Sequence, residues 1–293
     1  MLRNAGLVLS ALMMPFGVYA QTAGSDIWVV ATSNVDDVSA WQQVTDAPYY
    51  HNQPYFSEDG RVLFYTGADE TGQTDIYRYT IDNGQTINIT QTATSEYSPT
   101  PEPSGEGLSG IWVDTNGKQW LRQWDWSGQP MRKVIEVDPI GYHVWLGENA
   151  VLVFVLGQEA DPIHTLQRVT VGQSHGEIID QNIGASLWQI PMTSERFSYS
   201  KRDGEQHVLM EYNAKTQAIR PLMDLPSDVQ YYAWRNDQKV VLPDNQALRL
   251  SVRAPDDDSW IHWFSFERRC PNGVSRLAFS ADGNYLALVC NRA

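Results

Sequence analysis

Residues 52 to 84, NQPYFSEDGRVLFYTGADETGQTDIYRYTIDNG, make one complete repeat that the rest of the chain restates in eroded form. Tyr55-Phe56-Ser57 reads as a short strand, Glu58-Asp59-Gly60-Arg61 as a tight turn, and Val62-Leu63-Phe64-Tyr65 as the returning strand, which is a hairpin signal. A polar loop, TGADETGQT, leads to the alternating run Asp75-Ile76-Tyr77-Arg78-Tyr79, and Asn83-Gly84 turns the chain again toward Thr86-Ile87-Asn88-Ile89-Thr90. Four short antiparallel strands in about forty-five residues describe one blade of a β-propeller.

The register can be followed through the aromatic three residues before the Asp of the turn, Phe56 in this template. It recurs at Trp145, Trp188, Trp234 and Phe279, and with Pro103 as the degenerate second copy the spacings are 47, 42, 43, 46 and 45 residues. The last copy, Arg276 to Leu288, repeats FSEDGRVLF almost letter for letter as FSADGNYLA. It stops after two strands, whereas Asp26-Ile27-Trp28-Val29-Val30 near the beginning matches the third strand of the template. The two incomplete ends complement one another. The expected fold is all-β: a six-bladed propeller of four-stranded antiparallel blades, with five complete blades over roughly 47 to 270 and a sixth joining 25–45 to 274–290. Pro54, Pro101, Pro103 and Pro191 fall in or beside first strands, which line the channel and have one open edge where proline sacrifices no ladder bond.

Pro54, Ser57, Asp59-Gly60 and Leu63-Phe64, followed by Asp75-Ile76-Tyr77, resemble the repeat of the TolB-type six-bladed propellers. Residues 54–84 and 276–288 match closely, and the other four copies match by spacing and aromatics. The resemblance implies the fold and a habit of protein binding. It does not extend to the α/β domain that precedes the propeller in TolB, for which residues 21–293 leave no room.

Met1-Leu2-Arg3-Asn4 is a short basic head, residues 5–14 are apolar, and Val18-Tyr19-Ala20 offers small residues at the positions a signal peptidase reads. Residues 1–20 are thus expected to be a cleaved leader, with residues 21–293 forming a single propeller domain in a bacterial periplasm or outside the cell. The apolar run is well short of the ~20 residues that span a bilayer, and no cysteine follows the cut to carry a lipid. The full chain carries a net charge of −14, and Arg3 is the leader's only charge. A chain this acidic has no basic stripe for phosphates, which excludes nucleic acid as an expected partner. The two cysteines, Cys270 and Cys290, both belong to the last blade region. A hairpin turning at Asp282-Gly283 puts Cys290 opposite Ser275, five residues from Cys270, and an oxidising compartment favours a disulfide between them.

The apparent catalytic motifs fail on their context. Gly172-Gln173-Ser174-His175-Gly176 spells G-x-S-x-G but stands at a hairpin tip, not between a strand and a helix. Ser198 and Lys201 have S-x-x-K spacing within a strand. The six histidines show no local metal-ligand spacing, so neither a metal nor a cofactor is expected. Trp145, Trp188 and Trp234 are expected to pack between blades, while Trp124, Trp126, Trp260 and Trp263 lie in or beside outer strands where exposure can occur.

Blade-to-blade connections and second-to-third-strand loops share one face around the channel mouth. They carry Tyr49, Tyr50, His51, Glu96, Tyr97, Tyr142, His143, Asp228, Gln230 and Tyr231, with Asp69, Glu70, Glu159, Asp161, Arg202 and Asp203. Tyrosine mixed with acids suits a protein interface. The candidate binding residues are Tyr50, His51, Glu96, Tyr97, His143 and Asp161, in a monomeric, non-catalytic module for a periplasmic or envelope protein. A carbohydrate or small-molecule binder, or a lyase or hydrolase working in the mouth, stays open as the alternative.

Overall fold

A computed structural model describes residues 24–293 apart from 227, 228 and 230; the leader reading of residues 1–20 falls outside them. Six four-stranded antiparallel sheets form a closed ring. Strands β1 (Ser25–Ala31) and β2 (Gln42–Gln43) precede the first complete blade, with two single 3-10 turns between them. That blade contains β3 (His51–Phe56), β4 (Val62–Ala68), β5 (Thr74–Thr80) and β6 (Gln85–Asn88). Blade two contains β7 (Ser95–Pro101), β8 (Gly107–Val113), β9 (Gln119–Asp125) and β10 (Pro130–Lys133). Blade three follows with β11 (Ile140–Trp145), β12 (Ala150–Val155), β13 (Thr165–Thr170) and β14 (Glu177–Gln181). In blade four the strands are β15 (Ile183–Gln189), β16 (Arg196–Asp203), β17 (Gln206–Asn213) and β18 (Ile219–Leu225). Blade five has β19 (Ala233–Trp234), β20 (Val240–Asp244), β21 (Arg249–Arg253) and β22 (Ile261–Ser265).

The sixth sheet has the order β2-β1-β24-β23, where β23 (Val274–Phe279) and β24 (Tyr285–Asn291) end the chain. Strand β1 pairs with β24 along its whole length, from Ser25 opposite Asn291 to Ala31 opposite Tyr285. Arg292 adds two 2.8 Å bonds to the Asp26 carboxylate. The ring is thus closed by the two ends of the chain, and every blade is left with only short edges.

The first-to-second-strand turns show why the two best repeats read so clearly. Asp59 accepts hydrogen bonds from Ser57 Oγ and Arg61 N, and Asp282 accepts them from Ser280 Oγ and Asn284 N. The glycine that follows each has φ of +70° or +74°, a conformation costly to any side chain. Six buried apolar clusters, one per blade junction, fill the gaps between sheets. Between blades one and two, for example, Phe64, Ile76 and Ile89 meet Leu108 and Trp124. Trp145 and Trp234 also reach back to the preceding blade, donating through Nε1 to Ser109 Oγ and Ser198 Oγ.

The hairpin pairings shift the expected repeat register at two places. Residues equivalent to Phe56, each the last paired residue before the turn, are Pro101, Trp145, Gln189, Trp234 and Phe279. Their spacings are 45, 44, 44, 45 and 45, more even than the series built on Pro103 and Trp188. Trp188 is therefore the counterpart of Tyr55, because the turn from Gln189 to Phe197 is one residue longer than that from Phe56 to Leu63. A one-residue slip in a strand moves a side chain to the other face. Trp188 consequently turns into the channel and stacks on Tyr55, although its Nε1 still bonds the Tyr232 carbonyl.

Cys270 and Cys290 form a disulfide, as the hairpin argument expected, but Cys290 pairs with Val274, not Ser275. An irregularity between Val274 and Arg276 displaces Ser275 from the ladder. Trp124 is fully buried, while Trp126 is 41% exposed.

Candidate functional site

Each innermost strand runs from the face where the chain enters a blade toward its first turn, so blade connections and second-to-third-strand loops do share the entry face. Four of the six candidate rim residues lie in strands instead of loops. His51 opens β3, Glu96 and Tyr97 are second and third in β7, and His143 is fourth in β11; all but Tyr97 are buried. The sequence reading began the inner strands too late, since the polar side chains at their starts look like loop residues until their partners are known.

Those partners are built into the wall. The His51 backbone and ring bond to Ser25 of the closing strand, with Nδ1 3.0 Å from the Ser25 carbonyl, and burial holds its pKa below the ordinary histidine range. His143 Nε2 lies 2.8 Å from Ser109 Oγ while Nδ1 has no partner, and burial pulls its pKa down to about 3. Glu96 Oε1 accepts from Thr92 Oγ1 at 2.6 Å and Thr94 Oγ1 at 3.0 Å, but Oε2 has no partner. Burial raises the Glu96 carboxyl to about 7, despite those hydroxyls and with a further push from Asp75.

Asp161 is exposed in the second-to-third-strand loop of blade three, where its carboxylate accepts from Ile163 N. Tyr50 and Tyr97 are half-buried, and Tyr97 is close enough to add to the rise in the Tyr50 pKa that burial causes. Asp228 and Gln230 are outside the described residues.

The sequence reading missed the centre of the channel. Three positions before the Phe56 equivalents, the six blades place Gln53, Ser98, Tyr142, Ser186, Tyr231 and Arg276, and all six line one cavity of about 60 Å³. Tyr55 and Trp188, two positions further along their strands, line it too, with ring centroids 6.0 Å apart and planes 15° apart. Only the corrected repeat register could have grouped these six.

Arg276 Nη2 donates to the Tyr142 hydroxyl at 3.0 Å, and Tyr142 and Tyr231 share a 3.1 Å hydroxyl contact. The guanidinium also stacks over the Tyr231 ring at 3.8 Å. Gln53 Oε1 accepts from Thr66 Oγ1 and Ser98 N, each at 2.8 Å, which leaves its amide to donate to the Tyr142 hydroxyl. Burial opposes ionisation of Tyr142, but Arg276 and these hydrogen bonds bring its pKa below the ordinary phenol value. Burial raises Tyr50 and Tyr231, partly offset by Arg276. Burial would likewise discharge Arg276, yet the phenols around it keep it protonated.

The two sequence patterns set aside as non-catalytic sit as expected. Gly172 to Gly176 form the turn between β13 and β14, and buried Ser198 is held by Tyr232 and Trp234.

No family model matches the sequence, and no curated protein is detectably similar to it. Among solved structures, this chain is similar to a TolB-assigned chain from Agrobacterium tumefaciens, with a TM-score of 0.69 at 12% identity, covering 93% of this chain and 99% of that one. TolB from Acinetobacter baumannii superposes with a TM-score of 0.59 at 15% identity over 94% of this chain and 65% of its own. An oligogalacturonate lyase in complex with manganese gives 0.56 at 12% identity over 87% and 81%. Identities this low establish a TolB-like six-bladed propeller fold and nothing finer. A manganese ion does not fit this channel: its ring contributes a guanidinium, and among the described residues no three His, Cys, Asp or Glu side chains converge.

Proposed function

We propose that the protein is an exported, non-catalytic propeller that binds a periplasmic or envelope protein through its entry face. The observation that carries this reading is the group of tyrosines at the entry ends of the inner strands, Tyr50, Tyr142 and Tyr231 around Arg276 with Tyr97 near Tyr50. Tyrosine and arginine anchor protein interfaces because they combine large contact area with hydrogen-bonding tips. Tyr50, Tyr97 and exposed Asp161 would meet the partner, with His51, Glu96 and His143 bracing the wall behind them. The TolB structures with this fold and the leader-like residues 1–20 support the periplasmic setting, and the chain acts as a monomer.

One observation favours a second reading. A phenol held below its ordinary pKa by an arginine, as Tyr142 is, is a potential base for eliminating an acidic glycan, and a lyase shares this fold.

Photo-crosslinking from the two faces tests the proposal. Benzoylphenylalanine at Asp161 on the entry face should trap one identified envelope protein, and the same group at Glu148, on a first turn at the opposite face, should not. Equal trapping from both faces would overturn it. Oligogalacturonate turnover that disappears in Tyr142→Phe would replace it with the enzyme.

A further inference from the structure

We propose that the channel contains a carboxylate-binding site centred on Arg276 and Ser98. Resting on the protein-binding reading above, it would receive one acidic side chain or chain terminus of the partner. Arg276 forms no ion pair with any described carboxylate; the five arginines that do are Arg196, Arg220, Arg235, Arg249 and Arg292. Its neighbours are phenols, and its Nε is buried without a partner. Arg276 is half-buried, and a cation drawn even partly out of water without a counter-charge is unfavourable. It is also unexpected in a chain of net charge −14, where carboxylates are abundant.

Ser98 supplies the second half of the argument. Its Oγ is also buried without a partner, and it occupies the position in blade two that Arg276 occupies in blade six. Both residues line the same cavity. Two unpartnered donors, one of them cationic, define a place for an anionic acceptor. The Nδ1 of His143, on the same cavity wall, lacks a partner as well.

Size and shape narrow the anion. The cavity of about 60 Å³ has room for about four waters, which suits a carboxyl group on a short stem. The guanidinium is planar and matches the paired oxygens of a carboxylate.

The test follows the melting temperature of the whole protein in sodium acetate against sodium chloride at equal ionic strength, with sodium phosphate and galacturonate as further arms. Acetate should stabilise the parent more than chloride does. The apparent acetate affinity should fall about tenfold or more in Arg276→Gln, and by a smaller factor in Ser98→Ala, which keeps the arginine if the first variant folds poorly. Short peptides ending in a free carboxylate should outcompete their amidated forms and galacturonate.

No preference for acetate over chloride, a stronger effect of phosphate, or an acetate effect that survives Arg276→Gln would overturn the site. Undiminished crosslinking of the partner by folded Arg276→Gln would overturn the partner's carboxylate while leaving the protein-binding reading intact. Acetate binding without any entry-face crosslink would sink that reading and leave the carboxylate site standing.

Discussion

The Tyr55 ring lies nearly parallel to the Trp188 indole at a centroid distance of 6.0 Å, joining blade one to blade four across the channel. This contact links sheets that share no hydrogen-bonded ladder. Tyr55→Ala and Trp188→Ala, measured singly and together, should give a coupling energy of about 1 kcal/mol. Strict additivity in urea unfolding would show that the stack contributes only its separate burials.

Glu96 and His143 should impose opposite pH dependences. The folded pKa of Glu96, about 7, exceeds its ordinary 4.5, so its contribution is complete below 4.5 and lost as pH rises through 7. The folded pKa of His143, about 3, lies below its ordinary 6.5, so its contribution is present above 6.5 and lost as pH falls toward 3. His51 acts in the same direction. Between 4.5 and 6.5 the slopes oppose one another. Glu96→Gln, which resembles the protonated acid, should gain up to about 3 kcal/mol on the parent as pH rises toward 8, and it should destabilise more steeply than the parent on acidification. Parallel stability curves for parent and variant would contradict the assignment.

Ring closure depends on β1. A protein lacking residues 21–31 loses the pairing with β24 and the Asp26 partner of Arg292. Its calorimetric transition should broaden or disappear, because the sixth blade then presents an unpaired β24 edge and loses Ile27, Val29 and Val30 from the apolar junctions on both its sides. A truncated protein that melts like the parent would place the closing contact elsewhere.

The Cys270–Cys290 bridge spans a sequence separation of 20 and ties the last connection of blade five to the closing hairpin. Unreduced, denatured protein should take up no thiol label, and reduced protein two. Cys290→Ser should cost about 3 kcal/mol through the freer unfolded chain. Labelling of both thiols without reductant would remove this constraint from the fold.

The closing hairpin and blade one were legible because their signals are local. Asp59-Gly60 and Asp282-Gly283 announce their turns, and the apolar alternation beside them fixes which face is buried. Blades two and four were less legible. Pro101 carries no aromatic marker, and the longer turn after Gln189 moved the visible tryptophan one place along its strand. His51, Glu96 and His143 read as loop residues because the groups that satisfy them, Ser25, Thr92 with Thr94, and Ser109, are recognisable only once the sheets are assembled.

The sequence by itself determined the number of blades, their antiparallel pairing and the joining of the chain's two ends, since repeat length and turn chemistry act within one hairpin. Only the tertiary structure decided what the channel contains. Curving six sheets around one axis brings residues some forty-five positions apart into a single ring, so Gln53, Ser98, Tyr142, Ser186, Tyr231 and Arg276 meet although no two are near in sequence. Whether a side chain faces that ring or a blade junction depends on the parity of its strand position. One extra turn residue was enough to put Trp188 beside Tyr55 in the channel.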